Sequence, residues 1–137
     1  MSDTLYAGGC LCGAVRYEAR GEPSYMGYCF CGDCRKASGS GFIPFMSFPA
    51  SIIRFKGDTL QYRRPAASGR ISVRNSCPIC AGLVFGGEVG ISASFTVYAG
   101  SLDDARLFKP TMAIFTRDRA DWALMPPGLK MFEGLPG

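Results

Sequence analysis

The segment Tyr28–Phe42 reads YCFCGDCRKASGSGF. It packs Cys29, Cys31 and Cys34 into six residues. Three sulfurs this close can converge on one metal ion. A C-x-C step is too short for an unstrained disulfide, and C-x-x-C is the bite of a zinc knuckle or of a redox pair. After Cys34, the run Arg35 to Ser38 has room for one helical turn, ended by Gly39. Phe42 to Phe48 (FIPFMSF) is then apolar and aromatic, which predicts a strand with an edge or bulge at Pro44.

Outward from this stretch lie two further cysteine pairs, Cys10 with Cys12 and Cys77 with Cys80. Two pairs from distant segments predict a closed tetrahedron of four thiolates, the usual structural zinc site. Pro78 suits a tight turn inside the second pair. Cys29, Cys31 and Cys34 are left over, and the chain holds no histidine to complete them. A zinc ion held by three thiolates keeps one exchangeable position for water, a substrate thiol or a carboxylate, as catalytic zinc sites do. Other readings stay open. The two pairs can be free buried thiols. The trio can be a structural site capped by Asp33 or another neighbour, or a set of metal-free thiols that oxidise. Arg35 and Lys36 read equally as solvated surface. Trp122 and the Phe-rich strand read as core rather than as a ligand stack.

The 137 residues predict one domain, 1–137, large enough to bury a core. Hydrophobic residues make up 47% and charged residues 19%, a globular balance that excludes a disordered chain. Eighteen glycines and nine prolines, with few helix-period segments, predict short strands joined by tight turns. Met1–Thr4 has neither a basic region nor an apolar run, so no signal peptide is expected. The longest uncharged stretch, Ala37 to Ile53, is interrupted by Gly39, Gly41, Pro44 and Pro49 and reads as buried β structure rather than a membrane span. Seven cysteines without an export signal point to a reducing, cytoplasmic setting. The formal charge is +4, but seven thiolates remove seven charges and two zinc ions return four, leaving +1. The charge therefore gives no argument for nucleic acid, and neither nucleic acid nor membrane is expected as a partner.

Along the chain, Val15 and Tyr17 alternate with Arg16 and Glu18 in a half-exposed strand. Ile52–Lys56 and Leu60–Arg64 flank Gly57-Asp58 as a hairpin. Pro65–Gly69 is a loop. Arg70–Asn75 (RISVRN) alternates and runs into Cys77-Pro78-Ile79-Cys80, with Leu83–Phe85 returning. Ile91–Ala99 and Met112–Thr116 read as strands. Ser101 reads as the cap of a helix with Asp103 and Asp104 in its first turn.

The order GGCLCGAVRYE, then C-x-C-x-x-C-RKASGS, then NSCPIC resembles the glutathione-dependent formaldehyde-activating enzyme family, which also includes centromere protein V. The resemblance runs from Gly8 to about Trp122. It implies a mainly β protein with a β-tent fold of small antiparallel sheets, zinc knuckles and few helical turns. It implies two zinc ions, a structural one on Cys10, Cys12, Cys77 and Cys80 and a catalytic one on Cys29, Cys31 and Cys34. It also implies a carbon–sulfur lyase-type activity that joins glutathione to formaldehyde and gives S-hydroxymethylglutathione. On that reading Arg35 and Lys36 meet the carboxylates of glutathione or a similar thiol, and zinc or Ser38 stabilises the alkoxide formed from the small aldehyde. The competing reading is a zinc-stapled scaffold that binds a protein partner. Three positions depart from the family pattern: Phe30 and Ala113 stand where histidine is common, and Ala81 where glycine is common. No histidine is present to act as general base.

Overall fold

Alternation in the sequence becomes two sheets that share one core. The computed structural model describes residues 2–66 and 68–136, so Ala67 of the expected loop lies outside them. β1 (Leu5–Gly9) and β2 (Arg16–Arg20) pair antiparallel, with Cys10 and Cys12 in the connection between them. Tyr17 and Ala19 of β2 are buried while Glu18 and Arg20 are exposed, the period-two pattern of a strand with one wet face. β3 (Tyr25–Cys29) delivers the chain into the trio and α1 (Gly32–Ser38), and β4 (Ile43–Pro49) returns beside β3. The remaining strands are β5 (Ile53–Lys56), β6 (Leu60–Pro65), β7 (Ile71–Ser76), β8 (Leu83–Gly86), β9 (Ser94–Tyr98), β10 (Met112–Ile114) and β11 (Lys130–Met131).

The smaller sheet has the order β1-β2-β5, and the larger runs β11-β10-β3-β4-β9-β8-β7-β6. The expectation of a mainly β chain of antiparallel strands with little helix holds. The parallel exceptions are β10 with β3 and β10 with β11. Between the sheets lies the main core, with Tyr6, Tyr17 and Ile53 on one side and Met46, Phe48, Phe95 and Val97 on the other. Phe55 stacks on Phe85 with ring centroids 3.9 Å apart and meets Phe95 edge-on at 4.8 Å. Such aromatic pairs add about 0.5–1.5 kcal/mol each beyond the area they bury. Pro44 faces Tyr28 of β3 but stands outside the β9 ladder, whose last pair is Phe45 with Tyr98. The residue that lacks an N–H thus occupies a one-sided position.

Four expectations are corrected. Gly57-Asp58 does not close a hairpin: β5 pairs with β2 in the small sheet, and β6 pairs with β7 in the large one. Gly57 makes the crossing at φ 101°, and a Cβ there would stand 2.1 Å from the Ala14 carbonyl oxygen, so only glycine fits. Ser101 does not cap a helix. Its hydroxyl donates to the Tyr98 carbonyl at 2.7 Å and meets the Tyr17 hydroxyl at 2.8 Å. The segment makes 3-10 turns at Ala99–Ser101 and Ala105–Leu107 instead, the second capped by Asp104. The strand expected from Ile91 begins only at Ser94, because Ser92 N–H turns back to the Glu88 carbonyl at 2.9 Å. Trp122 is 68% exposed rather than core, with its ring edge over Gly41. No helix among the described residues is long and apolar enough to cross a membrane.

Candidate metal centres and cleft

The four-sulfur centre is built by two tight turns. Cys10 and Cys12 sit between β1 and β2, where Cys10 N–H donates to the Val15 carbonyl at 3.0 Å. Cys77 and Cys80 follow β7. A register shift between Asn75 and Ser76 bends that strand just before the knuckle. Asn75 is fully buried and holds the bend: its amide donates to the carbonyls of Phe85 and Gly87, and its oxygen accepts from Thr59 and Gln61. The sulfurs of Cys10, Cys12, Cys77 and Cys80 all lie within 4.8 Å of one another. Cys12 sulfur is 3.7 Å from both Cys10 and Cys77 sulfurs. Zinc bonds of 2.3 Å in a tetrahedron require sulfur separations of about 3.8 Å. Backbone N–H groups of Val15, Ile79 and Cys80 point at these sulfurs, which favours thiolates. The residues therefore fit a zinc ion.

Ala81 closes this knuckle at φ 63°, donating its N–H to the Cys77 carbonyl at 2.9 Å. A Cβ is strained there, and the family pattern noted above favours glycine at this position. Ala81→Gly is expected to stabilise the protein by about 1 kcal/mol, or about 4 °C in thermal midpoint. A melt followed by circular dichroism checks it, and an unchanged or lower midpoint contradicts it.

The trio forms where β3 meets α1. Cys31 is the N-cap of α1: its sulfur accepts from Cys34 N–H at 3.2 Å, and Gly39 closes the helix in the left-handed conformation. The three sulfurs lie within 4.8 Å of one another, and each residue is 8% exposed. No carboxylate joins the trio among the described residues. Asp33, the expected alternative fourth donor, is paired with Arg64 of β6 at 3.6 Å. The donor set is thus three soft sulfurs, which suits zinc and leaves one position free. Hydrogen bonds from Cys29 and Cys34, with the Arg74 charge, pull the Cys31 thiol down. The bond to Cys31 and burial push Cys29 up. At Cys34 the bond with Cys29 pulls down, but the bond with Cys31 and burial outweigh it and leave the thiol at about 11. Without an ion the trio holds one comfortable thiolate, and binding a metal there must release protons.

Phe30, between the first two sulfurs, is fully buried with Ala113 and Ala123, and its ring meets Phe42 at 5.5 Å. A side chain at that position serves a separate small core rather than the metal face. Ala113, the other position where histidine is common, shares that core.

On the outer face of the large sheet, the trio opens into a cleft of about 520 Å³. Strand register explains its lining. Cys29 faces Ile43 and Ile114, Phe45 faces Tyr98, Thr96 faces Gly86, and Gly86 faces Arg74. Side chains at these positions share one face, so Cys29, Tyr98 and Arg74 line a single trough, with Cys34 from α1 at one end and Arg70 also in the wall. One Arg74 nitrogen donates to the Tyr98 hydroxyl at 3.2 Å, and another approaches Cys34 sulfur at 3.8 Å. Burial works against the Arg74 charge, but attraction to Tyr98, Cys34 and Cys31 outweighs it. Arg35, Lys36 and Ser38 are not among the residues lining this cleft. The Ser38 hydroxyl donates to the Cys34 carbonyl at 2.8 Å, and Ser38 lines a second cavity beside the four-sulfur centre. Arg70, Arg74 and Tyr98 escaped the sequence reading. The signal available was the alternation of Arg70-Ile-Ser-Val-Arg74, which puts both arginines on one strand face.

A mainly β fold with a closed four-cysteine cluster and an open three-cysteine cluster on a cleft defines a protein with two groups of side chains able to hold a metal ion. The chain belongs to the glutathione-dependent formaldehyde-activating enzyme family, whose model matches residues 5–118. A crystal structure of a Rhodobacter sphaeroides protein has a similar fold, with TM-score 0.55 and 17% identity over 92% of this chain and 98% of the other. Comparison with curated proteins finds no match.

Proposed function

We propose that this chain is a zinc-dependent carbon–sulfur lyase-type enzyme that joins glutathione, or a similar thiol, to formaldehyde and gives S-hydroxymethylglutathione. The observation that carries the reading is a three-sulfur centre with no fourth cysteine or carboxylate donor among the described residues, opening on a cleft of about 520 Å³. Zinc on Cys29, Cys31 and Cys34 would keep a substrate thiol ionised at neutral pH. The protein's own groups then recognise and orient. Arg74 stands beside the sulfurs, and Arg70 lies farther along the same wall. The two are spaced to meet anionic groups on a thiol whose tail runs along the cleft. Arg35 and Lys36, on the helix that carries Cys34, add positive charge nearby. Ile43, Phe45 and Ile114 exclude water from the sulfur end. The thiolate carbon–sulfur bond forms as the aldehyde π pair moves to oxygen.

Titration calorimetry of zinc-loaded protein with glutathione, followed by NMR detection of S-hydroxymethylglutathione exchange on adding formaldehyde, tests this. No binding at millimolar glutathione would leave the zinc-stapled scaffold as the better account. Arg70→Ala is expected to weaken glutathione about tenfold while leaving mercaptoethanol binding unchanged, since one surface-accessible charge contact is lost. Equal effects on both thiols would remove Arg70 from the site.

A further inference from the structure

A hemithioacetal cannot form until the new alkoxide receives a proton, and the chain has no histidine to give one. The trio itself carries no proton donor once its sulfurs hold metal. We infer that the Tyr98 hydroxyl is the catalytic proton donor to the aldehyde oxygen, with Arg74 as its positioning residue. This inference rests on the reading proposed above.

Three observations support it. Tyr98 lines the cleft with Cys29 and Cys34 and packs in the same buried cluster as all three trio cysteines. Its hydroxyl reaches across β9 to β8, where a Cβ on Gly86 would stand 3.1 Å from it. A side chain at that position would crowd the hydroxyl, and Gly86 and Tyr98 both line the cleft. One guanidinium holds both the hydroxyl, at 3.2 Å, and Cys34 sulfur, at 3.8 Å. The planar, rigid fork of arginine fixes the two as neighbours.

The balance is simple. The thiolate sulfur forms a bond to the aldehyde carbon, and the C=O π pair moves to oxygen. That oxygen takes the Tyr98 proton, leaving a phenolate faced by the Arg74 cation, and water returns a proton to the phenolate. The thiol's own proton left for solvent when the thiol bound. The reverse reaction uses the phenolate as base. Because the Arg74 N–H already donates to the phenol oxygen, the hydroxyl hydrogen is free to point into the cleft.

The test is Tyr98→Phe, which keeps the ring and its packing. Formaldehyde–glutathione exchange is measured by NMR, and zinc content and glutathione affinity are measured on the same sample. The expected result is an exchange rate down about 100-fold, as for removal of a general acid, with zinc content and glutathione affinity within twofold of the parent. In parent protein carrying tyrosine labelled at Cζ, the signal absent from Tyr98→Phe is expected to move when formaldehyde is added to the glutathione complex. A rate within threefold of the parent, or a labelled signal that does not move, overturns the assignment. Loss of zinc or glutathione binding in step with the rate also overturns it, because Tyr98 is then structural. If the parent itself binds no glutathione or catalyses no exchange, the proposed function fails, and the Tyr98 assignment falls with it.

Discussion

Cys77→Ser is expected to lose its zinc at the four-sulfur centre and to melt at least about 15 °C below the parent. Cys77 is fully buried in the main core, and its sulfur lies 3.7 Å from Cys12, across 65 residues of chain. Removing it opens a cross-link between the β1–β2 connection and the end of β7 and exposes a serine hydroxyl to apolar neighbours. Structural zinc supplies about 10–16 kcal/mol in small zinc-finger peptides, more than the whole net stability of many domains, about 5–15 kcal/mol. Even a loss of about 4 kcal/mol corresponds to a fall of that size for a chain of this length. Metal analysis and a circular dichroism melt read the two effects together. A midpoint within a few degrees of the parent would mean that the two sheets hold without their metal.

Cys31→Ser has the opposite profile: a folded chain, one zinc fewer, and glutathione affinity down at least about 100-fold. The ligands of this centre lie within six residues, so no long loop depends on it. Serine also replaces what the cysteine does for α1. The N-cap position prefers an oxygen acceptor, and serine can take the Cys34 N–H that the sulfur now accepts. What serine cannot replace is a soft thiolate ligand. The midpoint is expected to fall by less than a third of the Cys77→Ser shift, and calorimetry is expected to detect no glutathione binding at millimolar concentration. A midpoint loss equal to that of Cys77→Ser would erase the division between a structural and a working centre. Retained glutathione binding with the second zinc absent would place the thiol somewhere other than the trio.

The sorting of seven cysteines was legible because metal chelation imposes short local spacings that need no knowledge of the fold. The α1 cap was legible for the same reason: Gly39 sits one residue past a short helical run. Strand partners were not. Ile53–Lys56 and Leu60–Pro65 flank a good turn dipeptide, yet they join different sheets. Local turn chemistry says where the chain bends, whereas the partner is chosen by which core each strand's apolar face can fill. Ser101 carried a helix-cap signal, but its hydroxyl is engaged by Tyr17 and by the Tyr98 carbonyl, contacts invisible in sequence. Arg74 read only as one residue of an alternating strand. Its place beside Cys34 depends on the register of β7, β8 and β9 across 40 residues of chain.

The wide separation of the four-sulfur ligands also sets an order of events during synthesis. Cys29, Cys31 and Cys34 leave the ribosome almost together and can chelate at once. Cys10 and Cys12 must wait for Cys77, which follows Cys12 by 65 residues. At about 5–20 residues per second that delay is roughly 3–13 s. Throughout it Cys10 and Cys12 lack their two partners, while the three-cysteine cluster is already complete. Scarce metal would therefore reach the three-cysteine cluster first and leave the four-cysteine one short, so that metal starvation would show as lost folded protein.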